Sequence, residues 1–182
     1  VRGPIRGFDP QLNPWLAEGV NREAKKVIAQ LGLEPLPQEG GFYRRTWVSR
    51  ARVAKGRAAG SAIWFLLTPG HFSAWHRLRS EELWHFQAGD PVEHVQLDPK
   101  GRTLCVTVLG ADVLAGQQPQ LVVPGGVWQG ARLRPGMGGR GWALIGCTMT
   151  PAWEEKEFEL GHRAELRRKY PAAAVWIRAL TR

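Results

Sequence analysis

The sequence predicts an all-β, antiparallel sandwich or barrel, preceded by one helix and followed by short ones. Three observations carry this. Between Gly40 and about Thr150 the apolar residues fall into about eight or nine short runs at strand length. Gly- and Pro-containing turns separate the runs, and no helical pattern intervenes, which excludes an alternating α/β architecture. The 182 residues are enough for one domain with a sizeable core and too few for two comfortable ones.

Residues 1–20, rich in Pro, Gly and Arg without a period, are expected to form an irregular arm. A helix and linker occupy 21–39. Asn21 can cap the helix, Ala24, Val27, Ile28 and Leu31 make an apolar stripe, and Gly32 closes it. Pro35 and Pro37 stiffen the connection to a barrel over 40–150. Strands are predicted at Phe42 to Val48, Ser61 to Thr68, His71 to Leu78, Glu82 to Ala88, Val92 to Leu97, Thr103 to Leu109, Leu121 to Val123, Gln129 to Arg134 and Trp142 to Met149. Asp98-Pro99-Lys100-Gly101 has the chemistry of a hairpin turn, because Pro presets φ and Gly accepts a positive one. The extension over 151–182 returns to helix at Ala164 to Tyr170, stops at Pro171, and resumes over Ala172 to Leu180.

Composition narrows the class. The net charge of +9 is spread along the chain, with no recognition helix or zinc spacing beside it, so nucleic acid is not the expected partner. No apolar span of about 18 residues and no signal peptide is visible, and a cytoplasmic protein without membrane insertion is expected. Cys105 and Cys147 lie in apolar runs and read as buried free thiols. Nine tryptophans point to a wide core, an aromatic pocket or a dimer interface. There is no nucleophile elbow, phosphate loop or dinucleotide fingerprint.

The densest chemistry lies in Ser73 to Pro91. Alternation there puts Glu82, Trp84 and Phe86 on one face of a strand and Leu83, His85 and Gln87 on the other. His85 should therefore point away from Glu82, and Asp90 should bond turn backbone rather than a ligand. His71, His94 and His162 read as structural or solvated.

Glu82 and Gly89, seven positions apart, resemble the first motif of the cupin superfamily. Pro124-Gly125-Gly126-Val127-Trp128-Gln129 resembles the second, with Gln129 where the family has a histidine. More closely, Glu39-Gly40-Gly41-Phe42-Tyr43, His76-Arg77, Glu82-Leu83-Trp84-His85-Phe86, Ala88-Gly89-Asp90-Pro91 and Gly146-Cys147 resemble, in order, a small RmlC-like branch of largely uncharacterised function. The resemblance implies a double-stranded jelly-roll barrel, a homodimer, and a cavity for a small polar or sugar-like molecule.

It also frames three chemistries. Many cupins bind a metal through three histidines and a glutamate. Here His76 stands one position off, Arg77 takes a histidine's place, and the neutral amide of Gln129 is a poor ligand. No cofactor is then required. The alternative is a divalent transition metal on His76, Glu82 and Gln129, serving an oxygenase or isomerase. The leading expectation is metal-free epimerisation or isomerisation, as in the deoxysugar-nucleotide epimerases that share this barrel. His76 is the base, Tyr43 the acid, and Arg77 the partner of an anionic group. The bland reading makes His76 and Tyr43 hydrogen-bonded structural residues. The third expectation is a non-catalytic sensor, in which Trp84, Phe86 and Trp128 stack on a ligand oriented by Glu82 and Gln129, unless these aromatics are core. Glu39 either enters the cavity mouth or caps backbone.

Overall fold

The computed structural model of the protein describes residues 19–98, 104–136 and 139–182. Most of the expected arm and the Pro99-Lys100-Gly101 turn lie outside them.

Helix α1 spans Arg22–Leu31. The Asn21 side chain accepts the Ala24 N–H at 2.9 Å, and Gly32 ends the helix at φ 61°, where a side chain would be strained. Ala24 and Ile28 dock on Phe42, Leu66 and Trp142. Asn21→Ala is expected to cost about 1 kcal/mol, read as a lower urea midpoint at unchanged slope. An unchanged midpoint would contradict the capping role.

Among the described residues eleven strands follow: β1 Glu34–Pro35, β2 Phe42–Val48, β3 Ser61–Leu67, β4 Ser73–Leu78, β5 Glu81–Gly89, β6 Val92–Leu97, β7 Leu104–Leu109, β8 Gln120–Val123, β9 Trp128–Leu133, β10 Ala143–Thr150 and β11 Phe158–Leu160. Helices α2, Arg163–Lys169, and α3, Ala174–Ala179, close the chain. The strands form two antiparallel sheets in the orders β1-β2-β3-β10-β5-β8 and β11-β4-β9-β6-β7. This is a jelly roll. β1 and β11 are the strands the sequence reading missed.

Alternation explains the layers. From β3, Phe65 and Leu67 enter the core between the sheets with Trp84, Val92 and Ile145, while Leu66 turns outward to α1. From β4 and β6, Trp75, Val95 and Leu97 turn outward to meet Ile177 and Leu180 of the C-terminal segment. Helices thus cover an outer face of each sheet, leaving the barrel interior for the site. No helix among the described residues is long and apolar enough to cross a membrane.

One expectation is corrected here. Cys147 is buried on β10, but Cys105 is exposed, because β7 is the outer edge of its sheet.

Candidate functional site

A cavity of about 410 Å³ opens within the barrel. Glu39, Tyr43, His76 and Glu82 line it together with apolar groups such as Ile63, Leu78 and Phe158.

The Glu39-Gly40-Gly41 turn sets one wall. Gly40 has φ 102°, and a Cβ there would run into the Phe72 carbonyl oxygen, so only glycine lets the chain lie against the start of β4. The Glu39 carbonyl accepts the Ala74 N–H at 2.8 Å, and its carboxylate accepts the Ser73 hydroxyl at 2.6 Å. That places Glu39 Oε1 3.9 Å from His76 Nδ1.

His76 is buried. Its Nδ1 lies 2.9 Å from the Ala74 carbonyl oxygen. A carbonyl only accepts, so Nδ1 carries the hydrogen and Nε2 holds the lone pair of the neutral ring. Phe158 stacks on the imidazole at 5.4 Å and 19°.

Glu82 anchors a buried chain of polar groups. Its Oε2 accepts both the Trp84 indole N–H at 3.0 Å and the Gln129 amide N–H at 2.8 Å. The Gln129 oxygen faces His94 Nε2 at 3.0 Å, so Nε2 is the donor and Nδ1 is left without a partner among the described residues. Burial raises the Glu82 carboxyl above its ordinary range, against the opposing pull of His76. Burial also lowers the His94 imidazolium to about 4 and holds the Cys147 thiol, on the cavity wall, well above its usual value. Cys147 is thus a neutral thiol.

The His94 shift predicts a pH dependence. Between about 4 and 6.5 the folded protein binds fewer protons at His94 than the unfolded chain, so its stability falls as pH drops through that window. The stability of wild type relative to His94→Gln should decline from about pH 6.5 to about pH 4, measured by denaturant unfolding at each pH. A constant difference would contradict a neutral buried His94.

Five expected ligand-binding residues stand elsewhere. Arg77 follows His76 on β4 and faces the outside, where it makes a bidentate pair with Glu159 at 2.8–2.9 Å and stacks 4.7 Å over Trp128. It does not reach the cavity. Trp128 precedes Gln129 on β9 and likewise turns outward, into the cluster with Leu166 and Ile177. Trp84 faces inward but is core, edge-on to Phe65 and His94, and Phe86 packs beside it. Gln129 sits behind Glu82 rather than on the cavity wall.

Several other placements follow from the same packing. His85 faces outward, 3.3 Å from Gln120. His71 meets the Thr68 hydroxyl at 2.9 Å, and Asp90 accepts the backbone N–H groups of Arg140 and Gly141.

The metal donors implied by the cupin resemblance do not fit together. Gln129 gives its N–H to Glu82 and turns its oxygen to His94, which leaves His76 and Glu82 as the available ligands. Among the described residues no three His, Cys, Asp or Glu side chains gather closely enough to hold a metal ion.

The sequence reading also missed a wall. The segment after β10 brings Trp153, Glu155 and Phe158 to the cavity, opposite Arg45 of β2. Arg57 pins that segment, donating to the carbonyls of Pro151 and Ala152 and, at 3.0 Å, to the Glu157 carboxylate.

Comparison with known proteins places these features in a family. Residues 25–161 match the family described as Cupin superfamily (DUF985). A hypothetical protein from Leishmania major is 32% identical, with 87% of this chain and 98% of that one aligned at a TM-score of 0.79. A Shewanella oneidensis protein is 33% identical, covering 87% and 97% of the two chains at a TM-score of 0.80. Oxalate decarboxylase from Bacillus subtilis shares the fold at 13% identity and a TM-score of 0.51, over 81% of this chain and 37% of that one. None of the curated proteins matches this chain.

Proposed function

Because the chain belongs to the cupin superfamily, in its DUF985 family, we propose that it binds a small polar or sugar-like carbonyl compound in the barrel and isomerises or epimerises it without a metal. The observation that carries this reading is the state of His76. Its Nδ1–H is committed to a backbone carbonyl inside a substrate-sized cavity, which leaves Nε2 as a base.

In this reading Nε2 takes the proton from the carbon next to the ligand's carbonyl. The electron pair moves to the carbonyl oxygen, giving an enediolate, and the imidazolium is steadied by Glu39 at 3.9 Å. The Tyr43 phenol returns a proton to carbon, and exchange with solvent restores both groups. Glu82, held by Trp84 and Gln129, orients the ligand's polar groups. A thermal-shift screen of nucleotide sugars, keto acids and free sugars tests the reading. A stabilising ligand that is converted to its isomer supports it. Tight binding without conversion favours a metabolite sensor instead.

A further inference from the structure

We propose that the mouth of the cavity is an oxyanion subsite built on Arg45, and that the molecule bound there carries a carboxylate or phosphate group. The inference deepens the reading above and rests on the cavity's being the ligand site, but it does not require turnover.

The placement follows from strand geometry. Tyr43 and Arg45 share the inner face of β2 and both line the cavity, while Arg44 between them turns outward and donates to the Leu31 carbonyl at 2.9 Å. Two residues of strand advance about 7 Å, so Arg45 stands one step outward from Tyr43 along the same wall.

The guanidinium is unspent. It has five N–H donors in a fork that matches a carboxylate or phosphate. Among the described residues none of them meets a hydrogen-bond acceptor, and the contact it makes is with the face of Trp153, 5.6 Å from the ring centroid. Glu39 and Glu155 line the same cavity without forming an ion pair with it. Arg57, Arg77 and Arg132 are, by contrast, each bonded to a carboxylate. Arg45 is exposed, so the ring face holds the guanidinium while its N–H groups meet only water, which a ligand oxyanion can displace.

Charge also sets the ligand's direction. The deep end holds the carboxyl groups of Glu39 and Glu82 beside His76, which disfavour an anion. The oxyanion therefore stays at Arg45 and the neutral carbonyl end enters toward His76 and Tyr43.

The test uses three probes with one hydroxyketone skeleton: dihydroxyacetone, hydroxypyruvate and dihydroxyacetone phosphate. Binding to the wild-type protein, Arg45→Gln, Arg45→Lys and Arg77→Gln is read from the unfolding midpoint across a probe titration. The expected result is an advantage of about tenfold or more for a charged probe over the neutral one. Arg45→Gln abolishes it, Arg45→Lys keeps part, Arg77→Gln keeps it whole, and added salt erodes it. Whichever charged probe gains more identifies the oxyanion. Equal behaviour of charged and neutral probes on the wild-type protein, or an advantage that survives Arg45→Gln, overturns the proposal.

The two readings can fail separately. Arg45-dependent anion binding with no proton exchange at carbon keeps the subsite and removes the acid–base reading. His76-dependent exchange with no preference for charge does the reverse.

Discussion

Replacing His76 by asparagine is expected to lower turnover of a converted ligand by about 10²–10⁴-fold, the usual worth of a positioned general base. The loss should fall on kcat, with KM changed far less, because the substitution leaves Arg45, Glu82 and the apolar walls, the groups proposed to bind the ligand, untouched. Asparagine can still fill the pocket beside Phe158 but offers no basic nitrogen. Deuterium incorporation from solvent should disappear in parallel, since the same proton transfer controls it. Glu39→Gln should act more mildly: it removes the charge 3.9 Å from Nδ1 but leaves the Ala74 carbonyl to hold the ring. Wild-type exchange rates in His76→Asn would show that another group is the base.

The second large effect is on stability. Arg57→Met should destabilise the protein by about 3 kcal/mol, because it leaves the Glu157 carboxylate buried without its cation. The side chains are 14% and 5% exposed, and Arg57 also donates to two backbone carbonyls and to Ser80. For a chain of this size that loss lowers the melting temperature by roughly 6–12 °C. The double variant Arg57→Met with Glu157→Leu should recover much of it, since breaking such a pair costs more than replacing it. The consequence reaches the site, because the pinned segment carries Trp153, Glu155 and Phe158. A single variant within about 0.5 kcal/mol of wild type would show that Arg57 does not hold this wall.

What the sequence made legible follows from which signals are local. Helix α1 was readable because Asn21, the apolar stripe and Gly32 all lie within twelve consecutive positions, 21–32. β2, β3 and β6 were readable from run length and alternation, whereas β1 carries Pro35 and β11 spans three residues, too little for a period.

The site divides on the same principle. Glu39, Tyr43, His76 and Glu82 line the cavity, and each came from a motif. The motifs suggest ligand contacts for Arg77 and Trp128, although each adjoins an inward residue, His76 and Gln129, on a strand. The two-residue period forbids both members of such a pair from entering the barrel, and that rule was available in the sequence. Arg45 sits two positions from Tyr43, so the same rule places it inside, but nothing local marks it among the 25 lysines and arginines. Trp153 and Phe158 reach the cavity by way of Arg57, about 100 residues distant, as in its bond to Glu157. His94 joins Gln129 across paired strands, a contact that register determines and spacing alone does not reveal.

In the proposed chemistry this barrel moves protons with its own side chains. The decisive experiment follows solvent deuterium into a bound hydroxyketone on protein stripped with chelator and checked by elemental analysis. Incorporation should persist at the untreated rate, be lost in His76→Asn, and be unchanged by adding back divalent metals. Incorporation that vanishes on chelation and returns with a transition metal would contradict this chemistry.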